Sequence, residues 1–327
     1  MDNYPISSQS LEKHYHIDGK QFGQQYKDHL SDYNSWEQQS HAHLWMIFPE
    51  NIGEKLSIDE TALSNGELYT IITNKAAKGR KGALVAMMQG TRSERIIDIL
   101  KKIPKSIRKL VKEVTLDMAG SMNKIVKRSF PNASRVIDRF HVQKLAYDAL
   151  QEIRIDYRWN AINEEHQLRK EAQFKEEKFQ ALIFENGDSK KQLLARSRYL
   201  LFKSSNNWTS SQKARAEILF AQFPNLKEAY QLTHNLRLIF TQTSDKGVAY
   251  TKLAQWFRKV EESNHKSFSS IKNTIKDHYQ GILNYFENRS TNASAESFNA
   301  KLKGFRASLR GVRDINFFLF RISKIYA

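Results

Sequence analysis

Apolar residues fall into short runs in the first part of the chain and recur at helical spacing later. The short runs predict five β-strands, at 55–60, 67–74, 82–89, 111–117 and 135–138. Helical periodicity appears at 92–103, which Pro104 closes, and again at 120–130. The predicted order is three strands, a helix, and then strand, helix, strand.

The middle of the chain has a different composition. From residue 141 to about 287 it is rich in Glu, Lys, Gln, Leu and Phe and poor in glycine, which predicts helices almost throughout. Such a stretch is too long for one connection, so we expect an all-α domain that interrupts an α/β fold. The predicted domains are a possible helix-turn-helix at 1–34, a linker at 35–54, the first part of the core at 55–150, an all-α insertion at 151–287, and C-terminal helices of the core at 288–327.

The N-terminal pattern suggests two short helices, one that Ser8 caps and one from Lys20 to Leu30, joined by a turn at His16–Gly19. Lysine and glutamine residues on the second helix are types that contact bases or phosphates in a major groove. A two-helix arm without a DNA contact is the alternative, and the pattern leaves both open.

Charge is distributed unevenly. The chain has 52 Lys and Arg against 35 Asp and Glu, for a net of +17. Residues 1–60 contain 4 basic and 10 acidic residues, a net of −6, so the remainder carries +23. A surface of this kind favours a polyanion, with binding that weakens as salt rises. With no run of 18 apolar residues and no signal-peptide pattern, we expect a soluble, cytoplasmic protein without membrane contact.

Three acidic residues stand where side chains become accessible. Asp59 and Asp117 each follow an apolar strand-like run, and the end of a strand is where α/β sheets bind ligands. Glu296 lies in a segment where Asn292, Glu296, Asn299 and Lys303 recur at helical spacing and so share one face. The sequence therefore predicts that a helix presents Glu296 to two strand ends.

Three carboxylates suit magnesium chemistry on a phosphodiester. Mg²⁺ prefers oxygen ligands and usually combines a few carboxylates with waters and phosphate oxygens. Two ions roughly 3.5–4 Å apart can activate the attacking oxygen and stabilise the leaving oxygen. We therefore expect two Mg²⁺ ions, with Mn²⁺ as a possible substitute; an isolated Asp at a strand end is otherwise a turn or cap residue.

The residues around these acids resemble the DDE transposases of bacterial insertion sequences, of the ISL-three-type group. The matching stretches are SIDETALSNGELYTIITN, VTLDMAGSMNKIVKRSFPNASRVIDRFHVQKLAYDALQEIR and STNASAESFNAKLKGFRASLRGVRDINFF. The resemblance implies that Asp59, Asp117 and Glu296 are catalytic and bind the metal, flanked by Asn292 and Asn299. It also implies a ribonuclease-H-like fold, with a mixed five-stranded sheet and helices interrupted by the all-α insertion.

Further residues are candidates for auxiliary or DNA-binding roles. Asp138 and His141 resemble a C/D-x-x-H signature of related transposase groups, where they could orient a phosphate or a metal-bound water; alternatively, His141 caps or packs at the start of a helix. Basic residues of a turn and of the C-terminal helices either line the DNA groove or form a solvated face. These residues are Lys78, Arg80, Lys81, Lys301, Lys303, Arg306, Arg310 and Arg313.

The resemblance implies metal-dependent cleavage at transposon ends and transfer of the freed 3′-hydroxyl into target DNA. The expected partners are DNA, a second copy of the chain, and an upstream chain that recognises the ends, since only about 54 residues precede the core. Two alternatives are a domesticated or truncated transposase that regulates by binding DNA, and a ribonuclease-H-like nuclease that only hydrolyses.

Overall fold

The structure, a computed structural model, describes residues 1–63, 66–263 and 265–327. The chain forms two compact units. One unit combines Met1–Asp138 with Asn288–Ala327, and the other comprises Arg139–Glu287. The helical unit therefore lies, in sequence, between the two parts of the first unit, and it begins at residue 139 rather than at the expected 151.

A six-stranded mixed sheet forms the centre of the first unit. Its strands are β1 (Trp45–Ile47), β2 (Lys55–Ala62), β3 (Leu68–Asn74), β4 (Leu84–Gln89), β5 (Glu113–Leu116) and β6 (Ser134–Ile137). They are arranged in the order β1-β4-β3-β2-β5-β6. Pairing is antiparallel from β1 through β4 and β3 to β2, and parallel from β2 through β5 to β6. Strand β2 thus has an antiparallel neighbour on one side and a parallel neighbour on the other.

The five predicted strands are present, and the sheet has a sixth. Residues 45–47, within the segment predicted as a linker, form β1 and pair with β4, with Trp45 opposite Met88. Three residues are too few to show a period-2 pattern, and the sequence therefore gave no strand signal. Met46 is completely buried, so burial against the sheet, rather than local propensity, stabilises this edge strand.

Helices cover the sheet of the first unit. They are α1 (Glu12–Tyr15), α2 (Gly19–Gln25), α3 (Ser93–Leu100), α4 (Lys105–Arg108), α5 (Gly120–Ser129), and, after the helical unit, α14 (Ala293–Ser308) and α15 (Ile315–Tyr326). Phe298, Leu302 and Phe305 of α14 are buried in a cluster with Tyr69 and Ile71 of β3. Residues 298, 302 and 305 follow helical spacing, which places the apolar face of α14 on the sheet.

The N-terminal segment packs on α15. Its two short helices meet at His16, which has a left-handed φ of 52°, close to the expected turn. Tyr33 contacts Phe317 and Phe320 edge-on, with ring centroids 5.2 and 5.4 Å apart, and Lys27 forms an ion pair with Asp314 at 2.7 Å. One lysine of the second helix is therefore engaged in packing, and a DNA contact through this segment stays a prediction.

The second unit is all-α. Its helices are α6 (Arg139–Phe174), α7 (Lys190–Arg196), α8 (Arg198–Phe202), α9 (Ser210–Gln222), α10 (Pro224–Gln242), α11 (Lys246–Ser263), α12 (Lys266–Asp277) and α13 (Tyr279–Asn288). Trp256 is buried and donates its indole N–H to the Leu232 carbonyl at 2.9 Å. The fully buried Asp188 carboxylate pairs with Arg196 and Arg215. Across the described residues, no helix combines the length and apolar character needed to span a bilayer.

Candidate active site

Asp59 and Asp117 lie side by side on neighbouring parallel strands. Ser57 of β2 is in register with Thr115 of β5, and each aspartate lies two residues further along its strand direction. Both are therefore at the same level of the sheet, where the parallel ladder has ended. Strand β2 continues to Ala62 by pairing with β3, so Asp59 lies within a strand rather than at its end. Both aspartates are partly exposed.

Helix α14 is attached to this edge of the sheet through two asparagines. The Asn292 amide donates to Ile58 O of β2 at 3.3 Å, and its backbone N–H donates to Asp138 Oδ2 at 2.7 Å. Two helical turns further along, Asn299 Nδ2 donates to Asp59 Oδ2 at 2.8 Å. Asn292 is completely buried and Asn299 nearly so. These bonds hold the first two turns of α14 against β2.

Glu296 lies between the two asparagines in sequence and on the same helical face. Its backbone N–H donates to Asn292 O at 3.0 Å within the helix, and its side chain is exposed. In the part of the chain that the structure describes, no three His, Asp or Glu side chains converge closely enough to form a metal-binding group. The structure thus brings together Asp59 and Asp117, while Glu296 faces solvent beside them.

A fourth carboxylate was missed in the sequence analysis. Burial raises the pKa of Glu60, and the negative charges of Asp117 and Asp59 raise it further. Glu60 is therefore close enough to both aspartates to be affected by their charges. In the sequence, the only indication of Glu60 was its position next to Asp59 in SIDET. Side chains of consecutive strand residues are expected on opposite faces of a sheet, so this position did not predict that Glu60 lies near the two aspartates.

Asp138 and His141 fall in different units. Asp138 is 2% exposed and accepts the Asn292 N–H, so it stabilises the N-terminus of α14. His141 lies in the first turn of α6, with its ring 5.7 Å from that of Phe140. The observed role of Asp138 is a structural contact to α14, and orientation of DNA or water by either residue stays a prediction.

The basic turn between β3 and β4 approaches α14. Lys301 Nζ donates to the Gly79 carbonyl at 2.9 Å, and Lys78, Arg80 and Lys81 are exposed. Lys303, Arg310 and Arg313 are exposed as well. Arg306 differs, because it is buried, pairs with Glu67 at 2.7 Å and lies over the Phe318 ring. The prediction of a DNA contact for Arg306 is therefore wrong: its cation is neutralised inside the fold.

The side chains at the strand ends are suited to a hard cation. The side-chain atoms that could bind a metal here are oxygens, which Mg²⁺ prefers. Mg²⁺ is often bound through only one or two carboxylates together with substrate phosphates. Asp59 Oδ1 accepts the Glu60 N–H at 2.9 Å and Oδ2 accepts from Asn299 Nδ2 at 2.8 Å, so both oxygens of this carboxylate are held in position. The buried Oδ1 atoms of Asn292 and Asn299 have no hydrogen-bond partner among the described protein atoms. These residues fit a magnesium site.

This chain, in which Asp59 and Asp117 lie at one level of the sheet, belongs to the ISL3-type family of transposases. The family model, described as transposase, matches residues 56–322. The chain is similar to the transposase for insertion sequence element IS1001 of Bordetella parapertussis, with 24% identity over 235 residues. That alignment covers 70% of this chain and 50% of the relative, so the chain spans about half the relative's length.

Among solved structures, the Drosophila P element transposase strand transfer complex is similar over 91% of this chain and 80% of that chain. The TM-score is 0.34 and the sequence identity 13%. A similarity at that level carries no argument about fold or function.

Proposed function

We propose that this chain is a DDE transposase that cleaves transposon ends and joins the freed 3′-hydroxyl to target DNA. The observation that carries the proposal is the placement of Asp59 and Asp117 at one level of adjacent parallel strands, with Asn299 of α14 bonded to Asp59. The order β4-β3-β2-β5-β6, three antiparallel strands and then two that run parallel to β2, supports a ribonuclease-H-like core to which β1 is added at the β4 edge. The unit of residues 139–287 is then an all-α insertion between the second and third acids.

Each residue of the site has a proposed role. Asp59 and Asp117 hold the divalent cations, and Glu296 contributes to the second ion. When bound, two Mg²⁺ ions activate the attacking oxygen and stabilise the leaving oxygen of an in-line displacement. Asn299 orients the Asp59 carboxylate, while Asn292 and Asp138 hold the helix that carries Glu296. The exposed Lys78, Arg80, Lys81, Lys301 and Lys303 contact DNA phosphates on the same side.

Supercoiled-plasmid nicking tests the proposal, with a plasmid carrying the element's two ends and with Mg²⁺ present. Asp117→Asn keeps the shape of the side chain and removes its charge, so we expect nicking to fall by about 100-fold or more. Asp98→Asn, at an exposed position on α3, is the matched control and should leave the rate unchanged. Nicking retained in Asp117→Asn would remove this residue from the mechanism.

A precut end separates transposition from simple hydrolysis. With a duplex whose 3′-hydroxyl is already free, the proposed enzyme joins that end to a target plasmid in the presence of Mg²⁺, and Asp59→Asn abolishes the joined product. A chain that nicks DNA but yields no joined product is a nuclease. A chain that binds the ends yet does neither is a regulator.

A further inference from the structure

Two adjoining cavities of the first unit form one groove, which we call the terminal groove. The larger, of about 1010 Å³, lies between the N-terminal helices and the segment after α14. The smaller, of about 540 Å³, continues along α14 to Leu63. Arg310, Gly311 and Arg313 line both cavities, which makes them parts of one surface.

In the lining of the terminal groove, positively charged side chains outnumber negatively charged ones. Five cations of its lining are exposed, namely Lys13, Lys20, Lys303, Arg310 and Arg313, and the smaller cavity is also lined by Arg306, which is buried and paired with Glu67. Each salt bridge found in the structure joins other residues, so none of these five has an ion-pair partner among the described residues. Glu12 also lines the groove, and its single negative charge leaves the cations in excess. Such a set of exposed cations attracts a polyanion.

The backbone between α14 and α15 is held in an unusual conformation here. Arg310 has a φ of 50° and Gly311 a φ of 115°, both in the left-handed region. This conformation is uncommon for arginine, because its Cβ crowds the neighbouring backbone. Strained non-glycine residues of this kind concentrate at ligand-binding sites, and this one lies between the two cavities.

The lining points to duplex DNA rather than a single strand. Proteins that hold single strands stack the bases on aromatic side chains. The terminal groove is lined by cations, serines, glutamine and aliphatic residues, with no aromatic residue among its described lining. Cations spread along a groove match the repeating charge of a phosphate backbone, which is how proteins fix a duplex without reading its sequence.

Helix geometry sets the distance from the strand ends. Ser308, which lines the groove, lies 12 residues after Glu296 on the same helix. At a rise of 1.5 Å per residue this is about 18 Å along α14. Duplex DNA rises 3.4 Å per base pair, so about five base pairs cover that distance.

We propose that the terminal groove binds the sugar–phosphate backbone of duplex DNA, about five base pairs from the phosphate that is cleaved. The groove anchors the flank of the cleaved strand, with Lys20 and Arg313 as principal contacts. The distance of about five base pairs from the cleaved phosphate, which we call the register, rests on the proposed function. Binding of DNA by the groove does not rest on it, and the two are tested separately.

The first test measures binding without chemistry. Fluorescence anisotropy with a 30-base-pair duplex, in EDTA and over a series of NaCl concentrations, gives the slope of log K against log salt. Lys20→Gln combined with Arg313→Gln should reduce the slope by about 2 and weaken binding at 0.1 M salt about tenfold or more, because two phosphate contacts are lost. Lys105→Gln combined with Lys109→Gln removes the same charge from exposed positions on and beside α4 and should change the slope little.

The outcomes of this test are distinct. Equal effects of the two double variants would mean that net charge, not the terminal groove, drives binding, and would overturn the proposal. A loss of self-association in light scattering with unchanged DNA affinity would identify the groove as a contact between chains and would also overturn it. Circular dichroism of both variants confirms that folding is intact.

The second test measures register. The chain contains no cysteine, so Ser308→Cys gives a single attachment point for an iron–EDTA cleavage reagent. Backbone cuts should centre about five base pairs from the nick made by the unmodified protein. Cuts scattered along the duplex would contradict the proposed distance of about five base pairs. Absence of any nick, with the anisotropy result as expected, would reject the proposed function while the groove remains a DNA site.

Discussion

Both oxygens of the Asp59 carboxylate are held by neighbours. The Glu60 N–H fixes Oδ1 and the Asn299 amide fixes Oδ2, so the carboxylate cannot rotate freely. A ligand group fixed before the cation arrives costs less ordering entropy on binding. Under the proposed function, Asn299 acts as a positioning residue through Asp59, and its removal should weaken metal binding more than folding.

We expect Asn299→Ala to raise the Mg²⁺ concentration needed for half-maximal nicking by about tenfold, the equivalent of one hydrogen bond to a charged group. Asn299→Asp should be worse, because its charge opposes Asp59. Titration of plasmid nicking with Mg²⁺ measures the effect. Asn132→Ala, which removes an exposed amide bonded to Lys109 O at 3.0 Å, is the control. An unchanged Mg²⁺ dependence of Asn299→Ala would show that Asn299 is only structural.

Helix α14 is the element that joins the parts of the site. Asn292 attaches it to β2 and Asp138, Lys301 to the turn between β3 and β4, and Arg306 to Glu67, while its phenylalanines pack on β3. Its position is set along its whole length, and disruption at one end should therefore affect the other.

Arg306 and Lys303 make a matched pair on this helix. Arg306→Met leaves the Glu67 charge without its partner, which costs about 3 kcal/mol for a buried pair and should lower the melting temperature of the first unit by about 5–10 °C. Lys303→Met changes an exposed charge and should move the melting temperature little. Differential scanning calorimetry measures both. Similar melting temperatures for the two variants would show that the Arg306–Glu67 pair does not stabilise α14.

The candidate sites and the helical core of the molecule lie in different units. The first carries the paired aspartates and the terminal groove, and the second is a helical body stabilised by its own core and by ion pairs such as those of Asp188. Burial acts to raise the pKa of Asp188, but hydrogen bonds from Arg215 and Arg196 outweigh burial and hold this pKa below its usual value. The helical unit should therefore lose stability in acid.

The pH prediction follows from that lowered pKa. A carboxyl group whose pKa is lower when folded stabilises the fold above its unfolded pKa, about 3.9, and loses this contribution as pH falls through the folded value. The helical unit should thus destabilise below about pH 4. Hydrogen exchange of peptides from α7 and α9 measures this against pH, and Asp188→Asn should flatten the profile. An acid response unchanged in that variant would exclude Asp188 as its source.

What the sequence predicted depended on local pattern. The runs around Leu56, Ile58, Val114 and Leu116 are long and apolar enough to mark β2 and β5, and their carboxylates followed directly. Asn292 and Asn299 were placed correctly on one helical face, although their contacts to Ile58 and Asp59 are more than 230 positions away in sequence. Helical spacing predicts which residues share a face of α14, but only the folded structure shows that this face contacts β2.

Other features had no local signal. Arg306 and Arg310 lie on the same part of the chain and look alike in the sequence. In the fold, Arg306 is buried and pairs with Glu67, whereas Arg310 is exposed. The terminal groove combines Lys13 and Lys20 with residues almost 300 positions later. Contacts of this kind are set by packing between distant segments, which no periodicity within a window of residues reports.

The order of elements has a consequence for synthesis on the ribosome. The face of β3 and β4 that α14 and α15 cover belongs to the first hundred residues, whereas the covering helices are translated only after residue 292. Until they emerge, Tyr69, Ile71 and Met87 lack their packing partners, and Asp59 lacks Asn299. Nascent chains that lack α14 and α15 therefore expose this apolar face of the sheet, and their Asp59 carboxylate lacks its hydrogen bond from Asn299.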